Sequence, residues 1–284
     1  MQQEQTKSIF VAIVGRPNVG KSSLLNRMVG EKVAIVTAKP QTTRTRITGI
    51  LPRGAEQYVY LDTPGIHRPR TRLGERMAKA TADSVAEVDA VVMLFEPYGE
   101  LTEAEQALVE DIRVKKVPAL AAVNKTDTLK KETDLAVRMQ FLEKLGVFRG
   151  VLPLCVSEDR GCTELLDALL PFAVESPHYF PDDAYTDMPE KALVAEVLRE
   201  KMLLNLRDEI PHGTAVTVER FKERGDKDII DIDVNIYCEK KSHKGMIIGK
   251  GGQMLKKIAS EARVECEEFL GARVNLQCWV KIKD

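Results

Sequence analysis

Short apolar runs alternate with helically patterned stretches from Ile9 to about Pro171. The apolar runs predict strands at Ile9–Val14, Thr48–Leu51, Gln57–Asp62, Ala90–Phe95, Ala119–Asn124 and Val151–Val156. The stretches between them predict helices at Lys21–Val29, Gly74–Glu87, Glu103–Lys115, Leu135–Leu145 and Thr163–Leu170. Strands that alternate with helices indicate an α/β domain with a mostly parallel sheet and helices on both faces.

The pattern changes after this region. Prolines mixed with aspartates predict a linker over residues 173–189 that contains neither regular helix nor strand. An amphipathic helix at Glu190–Arg207 then precedes two alternating strands, Thr214–Phe221 and Ile229–Tyr237. A glycine-interrupted helical pattern that resumes at Gln253, and a last strand at Arg273–Ile282, complete an α–β–β–α–α–β unit. We therefore expect an α/β domain over residues 1–172, a linker over 173–189 and a smaller α+β domain over 190–284.

Composition narrows the class of protein. The 284 residues suffice for two domains, and 44% hydrophobic with 30% charged residues is typical of an ordinary globular protein. No apolar run is long enough to span a bilayer, and residues 1–7 are too polar for a signal peptide. The five cysteines lack C-x-x-C spacing, which favours reduced thiols in a cytoplasmic protein without a zinc site. With a net charge of −1, any nucleic-acid surface must be local.

One octapeptide between the first predicted strand and helix fits the pattern G-x-x-x-x-G-K-S, which is typical of a P-loop. Its residues are Gly15, Arg16, Pro17, Asn18, Val19, Gly20, Lys21 and Ser22. Glycines let such a loop curl so that its N–H groups face phosphates, and the helix N-terminus adds partial positive charge. Lys21 is expected to reach the β- and γ-phosphates, and the Ser22 hydroxyl to bind Mg²⁺.

A second motif, N-K-x-D, predicts which base is bound. Asn124, Lys125 and Asp127 follow a predicted strand of the same domain. A carboxylate there can accept hydrogen bonds from N1–H and the 2-amino group of guanine, whereas adenine offers neither donor. We expect the Lys125 stem to pack along the base and the Asn124 amide to brace the loop. Ser157, after the last strand of this domain, lies where a backbone N–H could reach guanine O6. GTP and GDP are the predicted ligands.

Two further segments are expected to respond to the γ-phosphate. Asp62, Thr63, Pro64 and Gly65 follow a predicted strand, so that Asp62 can hold Mg²⁺ through water and the Gly65 amide can face the γ-phosphate. Thr43 or Thr42, in the polar loop over residues 32–46, offers a hydroxyl that completes the Mg²⁺ shell, and we favour Thr43. Triphosphate would order both segments and hydrolysis would release them.

Together these motifs resemble the translation-factor-related branch of the small GTPases over residues 8–171. Ras-type enzymes position the attacking water with a glutamine directly after the D-x-x-G glycine. That position is Ile66 here, which cannot hydrogen-bond to water. The resemblance implies that backbone groups and a K⁺ ion bound by Asn18 replace the glutamine. A purely loop-stabilising Asn18 is the alternative. Glu158, where alanine is usual, should cost little guanine affinity because the contact there is mainly to backbone.

The second domain contains a glycine-rich loop between two predicted helices. I-I-G-K-G-G, comprising Ile247, Ile248, Gly249, Lys250, Gly251 and Gly252, is the signature of a KH module. Such a loop clamps the backbone of single-stranded RNA, and glycines let the phosphates approach closely. The two isoleucines are expected to line a groove for the bases. Nearby lysines make this region locally basic: Lys240, Lys241, Lys244, Lys250, Lys256 and Lys257.

A GTPase domain followed by a bacterial-type KH domain is similar to a family of bacterial ribosome-assembly GTPases, over essentially the whole chain. The resemblance implies binding of the 3′ end of small-subunit ribosomal RNA and action in assembly of the small ribosomal subunit. It also implies a loose, peripheral contact with the inner face of the cell membrane, and we expect a monomer. The alternative is an RNA-binding chaperone for which GTP is mainly a ligand. A metabolic kinase is disfavoured because N-K-x-D selects guanine.

Overall fold

The chain folds into two compact units. The computed structural model describes residues 6–39, 42–65, 79, 81–207, 210–225 and 228–283. The first unit comprises Met1–Ala34 and Thr43–Asp187, and the second comprises Ile35–Thr42 and Met188–Asp284. A short segment between the first helix and Thr43 therefore belongs to the second unit, which the sequence did not indicate.

The first unit alternates strands and helices as predicted. Its strands are β1 (Lys7–Gly15), β2 (Ile47–Arg53), β3 (Glu56–Asp62), β4 (Ala90–Phe95), β5 (Ala119–Val123), β6 (Gly150–Pro153) and β7 (Val174–Glu175). Its helices are α1 (Lys21–Val29), α2 (Glu103–Lys115), α3 (Glu132–Glu143) and α4 (Cys162–Leu169), and residues 81–86 are also helical. The rest of the helix predicted at Gly74–Glu87 falls mainly on residues outside those described.

The sheet of the first unit is mostly parallel, with strand order β2-β3-β1-β4-β5-β6. Strand β2 runs antiparallel to β3, and β7 pairs antiparallel with β1. Every residue of β4 is buried, as expected for a strand inside a sheet that is covered on both faces. The carboxyl ends of parallel strands share one edge of the sheet. The loops that leave β1, β3, β5 and β6 carry the residues predicted to bind the nucleotide, except Thr43, which precedes β2. The predicted α/β fold is confirmed.

Strand β6 ends earlier than predicted. It stops at Pro153, whereas the apolar pattern continues to Val156. Cys155 instead forms a single bridge with Arg160, and Val156–Glu158 form one 3₁₀ turn. Leu154, Cys155 and Val156 are buried although they lie outside the strand, so their apolar character here indicates burial and not a strand.

The predicted linker packs against the first unit. The expectation of no regular structure is wrong at Val174–Glu175, because the prolines remove backbone N–H donors only at their own positions. Further along, the Gln57 amide donates to Phe180 O at 2.8 Å, and Ile50 N donates to Tyr185 O at 2.8 Å. The first unit therefore extends to Asp187, beyond the predicted boundary at residue 172.

The second unit confirms the predicted α–β–β–α–α–β order. Its elements are α5 (Glu190–Asn205), β8 (Thr214–Glu223), β9 (Ile229–Cys238), α6 (Lys241–Ile248), α7 (Gln253–Leu270) and β10 (Arg273–Ile282). Strand β9 is central, antiparallel to β8 and parallel to β10. Apolar residues of α5, β9 and α7, such as Leu198, Val234 and Ile258, fill its core. Across the described parts of both units, no helix is long and apolar enough to cross a membrane.

Candidate nucleotide and RNA sites

The P-loop encloses the Lys21 ammonium group. Lys21 Nζ donates to Gly15 O at 3.1 Å and to Arg16 O at 2.8 Å. Burial lowers the pKa of Lys21 to about 8, against the attraction of Asp62. Gly20 has φ 108°, and a Cβ there would lie 2.3 Å from Asn124 Nδ2, so only glycine fits. Asn18 has φ 61°, a left-handed conformation that asparagine tolerates better than most residues.

Other P-loop residues support the loop itself. Arg16 Nε lies 2.7 Å from Oε2 of the fully buried Glu105, and the Arg16 guanidinium also donates to Glu100 O. Val19 is buried. Gly65 packs on Pro17 so closely that a Cβ at Gly65 would lie 2.7 Å from Pro17 Cα. The glycine of the D-x-x-G motif is thus required by its contact with the P-loop.

Three oxygen-bearing side chains converge beside Lys21. The Ser22 hydroxyl donates to Asp62 Oδ2 at 2.6 Å, and Thr43 Oγ1 lies 3.0 Å from Ser22 Oγ and 3.4 Å from Asp62 Oδ2. Asp62 is fully buried, and within the described part of the chain its Oδ1 has no hydrogen-bond partner. Burial raises the pKa of Asp62 to about 6, although Lys21 and the two hydroxyls oppose the rise.

This cluster fits a magnesium ion. Hydroxyl and carboxylate oxygens are the hard ligands that Mg²⁺ prefers, and a cation would satisfy the buried Oδ1 of Asp62. The structure brings Thr43 to this cluster, whereas the Thr42 hydroxyl donates to Lys39 O at 2.7 Å within the second unit. The preference for Thr43 over Thr42 is therefore supported by geometry.

The rest of the D-x-x-G segment is fixed by hydrogen bonds within the first unit. The Thr63 hydroxyl donates to Ile13 O at 2.9 Å, and Pro64 O accepts from the Thr81 hydroxyl at 3.3 Å. Ile66, which occupies the usual glutamine position, lies outside the described residues. Its effect on hydrolysis stays a prediction.

The guanine loop is braced as predicted. Asn124 Nδ2 donates to Val19 O of the P-loop at 2.8 Å, and Asn124 Oδ1 accepts from Val156 N at 3.2 Å. Lys125 Nζ pairs with Glu96 Oε1 at 2.9 Å. Asp127 is exposed, so its carboxylate is accessible to a base. The side-chain amide of Asn124 thus connects its own loop to the P-loop and to the loop after β6.

Sequence reasoning missed one contact of Asp127. The Cys155 thiol lies 3.2 Å from Asp127 Oδ1 and 3.3 Å from the hydroxyl of the exposed Ser157. A signal was available, because Asp127 and Cys155 follow β5 and β6, which are neighbouring parallel strands. Residues just beyond the carboxyl ends of such strands are brought together by the sheet.

The glycine-rich loop of the second unit has the backbone that its glycines allow. Gly249, Gly251 and Gly252 have φ of 73°, 59° and 78°. A Cβ at Gly249 would lie 2.7 Å from Met254 Cβ, whereas one at Gly251 would meet nothing within 4 Å. The loop therefore presents open backbone at Gly251, where a phosphate could approach.

The side chains around this loop divide between surface and core. Lys250 and Lys256 are exposed and Lys244 is half-buried, and no ion pair of Lys250 or Lys256 occurs among the residues the structure describes. Ile248 is partly buried, but Ile247 is fully buried in the core. The expectation that Ile247 lines a groove for bases is therefore corrected: its side chain supports the loop from within.

Three described residues of the segment Ile35–Thr42 form hydrogen bonds with helix α5 or with the residue that follows it, all within the second unit. Val36 N donates to Oε1 of the buried Glu200 at 2.8 Å, and the Arg199 guanidinium donates to Thr42 O. Lys39 Nζ donates to Leu206 O just after the helix. The last of these contacts is made by Thr42, the final residue of the segment that belongs to the second unit.

Comparison with known proteins shows to which family the chain belongs. Residues 10–125 match the family described as 50S ribosome-binding GTPase, and residues 209–284 match the KH domain family. The chain is 44% identical to GTPase Era of Clostridioides difficile strain 630, over 98% of this chain and 94% of that protein. The chain belongs to the Era GTPase family. It is also 45% identical to the Era of Caldicellulosiruptor saccharolyticus, over 98% of this chain and 92% of that protein.

Solved Era structures share the whole fold. A crystal structure of Era in complex with MgGDPNP and nucleotides 1506–1542 of 16S ribosomal RNA has a TM-score of 0.93 at 32% identity, covering 98% of this chain and 94% of that one. An Aquifex aeolicus Era variant bound to GDP·AlF₄⁻ has a TM-score of 0.93 at 33% identity, with the same coverage. The predicted combination of a GTPase domain and a KH domain is confirmed.

Proposed function

We propose that this chain is a GTP-hydrolysing switch that binds the 3′ end of small-subunit ribosomal RNA and acts in assembly of the small subunit. The observation that carries the proposal is the cluster of Ser22, Thr43 and Asp62 beside buried Lys21, on the same chain as a KH loop. The RNA assignment is supported by the Era complex that contains 16S ribosomal RNA nucleotides.

In this proposal the phosphates of GTP lie in the P-loop against Lys21, with Ser22 and Thr43 holding Mg²⁺ and Asp62 supporting it. The ion neutralises charge on the β- and γ-phosphates when it is bound. Asp127 reads guanine, with the Ser157 backbone near O6. The Gly65 amide faces the γ-phosphate, so the D-x-x-G segment reports which nucleotide is present.

A K⁺ ion at Asn18 is a finer part of the proposal. The left-handed backbone of Asn18 makes a loop-stabilising role the competing interpretation. GTP turnover in K⁺ compared with Na⁺ at equal ionic strength separates the two. Faster turnover in K⁺ supports the ion, and equal rates would eliminate it.

RNA recognition is assigned to the loop over Gly249–Gly252, with Lys250, Lys244 and Lys256 supplying charge and Ile248 an apolar contact. Crosslinking of the full chain to RNA in cells, followed by sequencing, tests the partner. A dominant footprint at the 3′ end of small-subunit RNA is expected. Scattered or messenger-RNA footprints would contradict the assignment.

Turnover measurements decide whether hydrolysis matters. We expect GTP hydrolysis that responds to this RNA. Near-zero rates with and without RNA would instead favour the RNA-binding chaperone. A monomer in the cytoplasm with peripheral membrane contact completes the proposal. Sedimentation of the full chain tests the oligomeric state, and vesicle flotation tests the membrane contact.

A further inference from the structure

The loop that carries Asp127 is tied to the loop after β6. Thr126 donates twice to Leu154 O, from its backbone N at 3.2 Å and from its hydroxyl at 2.9 Å. Cys155 N donates to Arg160 O at 3.0 Å, and Arg160 N donates back to Cys155 O at 3.1 Å. The backbone of Cys155 is therefore fixed relative to the base loop.

The Cys155 side chain contacts the carboxylate of Asp127, the group proposed to recognise guanine. Cys155 is fully buried, and its sulfur lies between Ser157 Oγ and Asp127 Oδ1 at 3.3 and 3.2 Å. Asp127 itself is exposed. The terminal torsion of an aspartate has a broad energy minimum, so an exposed carboxylate rotates easily unless a neighbour fixes its plane. The thiol is such a neighbour, with its S–H as donor.

We propose that Cys155 is a positioning residue for guanine recognition. Its thiol holds Oδ1 of Asp127 so that both carboxylate oxygens face the base, one toward N1–H and the other toward the 2-amino group. Ser157 completes a hydrogen-bonded chain from the solvent side. The inference rests on the proposed guanine-nucleotide binding at Asp127 and adds a residue that determines how sharply guanine is selected.

Positioning and mere packing predict different results. A carboxylate that rotates freely loses two-point binding more than one-point binding. GDP offers both donors, whereas IDP lacks the 2-amino group and offers only N1–H. Cys155→Ala should therefore lower the ratio of GDP affinity to IDP affinity roughly fivefold, because a thiol is a weak hydrogen-bond donor but its acceptor is charged. If the side chain only fills space, both affinities fall together and the ratio is unchanged.

The experiment measures equilibrium binding of GDP and IDP to the full chain and to four variants. Cys155→Val fills the space without a donor and should show the same loss of ratio as Cys155→Ala. Cys155→Ser keeps a donor and should retain much of the ratio. Cys162→Ala truncates another buried free thiol of the first unit and should match the wild type.

Each outcome decides the proposal. A wild-type ratio in Cys155→Val, or an equal fall in Cys162→Ala, would overturn it. Thermal unfolding of each variant identifies any that fail to fold. If Cys155→Ala fails to fold, the comparison of Cys155→Val with Cys155→Ser still tests the proposal. Failure of the proposed function would be recognised separately by measuring ADP binding. A wild-type chain that binds ADP as tightly as GDP does not select guanine, and the role proposed for Cys155 then does not arise.

Discussion

Mg²⁺-dependent nucleotide binding should weaken below about pH 6, because Asp62 must ionise before it can support the cation. Asp62 is fully buried, and burial raises its pKa from 3.8 to about 6 against the opposing effects of Lys21, Ser22 and Thr43. This rise corresponds to about 3 kcal/mol against the carboxylate form. Bound phosphates add negative charge nearby, so the pKa in the nucleotide complex is expected at or above this value.

The sign of the effect follows from competition. A proton and the cation both require the charge on Asp62, so the apparent Mg²⁺ affinity rises with pH until the carboxyl is ionised and is constant above that point. Below the midpoint one proton is displaced for each Mg²⁺ bound, which costs about tenfold in affinity per pH unit.

The assay is a Mg²⁺ titration of the GDP complex between pH 5 and 8, followed with a fluorescent GDP analogue. The Mg²⁺ affinity of free nucleotide is measured at each pH and subtracted, since a terminal phosphate also titrates near pH 6. In Asp62→Asn the Mg²⁺ affinity should no longer fall as the pH is lowered. The control Asp111→Asn removes a carboxylate that pairs with Lys115 on α2, and its Mg²⁺ affinity should fall at low pH as in the wild type. A Mg²⁺ affinity that does not fall between pH 6 and pH 5, as the ordinary aspartate pKa of roughly 4 would give, would refute the reasoning.

Four further outcomes are expected. Lys21→Ala should lower GTP affinity about a hundredfold, because charged hydrogen bonds to phosphate are lost. Unchanged GTP affinity and turnover would contradict the P-loop assignment. Asp62→Asn should stabilise the nucleotide-free chain against urea at pH 8 by up to about 3 kcal/mol. The reason is that a raised pKa stabilises the fold at low pH, and this contribution is lost as pH rises through about 6; no gain at pH 8 would refute the burial penalty. Glu200→Ala should speed hydrogen exchange at the Val36 amide, whose acceptor it removes; unchanged exchange would show that this bond does not hold the segment. Gly251→Asp should weaken RNA binding far more than Gly251→Asn, which imposes the same left-handed strain without charge, and equal effects would count against phosphate contact there.

Residues that act through local chemistry were predictable from sequence. The P-loop, the guanine loop and the KH loop each follow or precede a strongly patterned element, and their chemistry depends on residues close together in the chain. Asn124 illustrates the success, because its bracing role was predicted and its amide bonds to Val19 O and Val156 N.

Contacts between distant segments were not predictable in this way. Cys155 reaches Asp127 only because β5 and β6 are adjacent. Val36 and Glu200 form a hydrogen bond although they lie 164 residues apart in the chain. Ile247 carried an apolar signal that fits a groove as well as a core, and packing placed it in the core. The apolar character of a residue indicates that it is buried, but not whether it packs in the core or lines a groove for a ligand.

A switch of the proposed kind requires that the guanine-nucleotide site and RNA binding on this chain are coupled. The most direct test measures the affinity of the full chain for an oligonucleotide of the 16S ribosomal RNA 3′ end, once with MgGDPNP and once with MgGDP. Coupling requires a differential affinity, and its size must be the same whichever ligand binds first. The RNA affinities in the two nucleotide states should differ by about tenfold, which corresponds to a coupling free energy of about 1.4 kcal/mol. Equal RNA affinities in the two nucleotide states would contradict it.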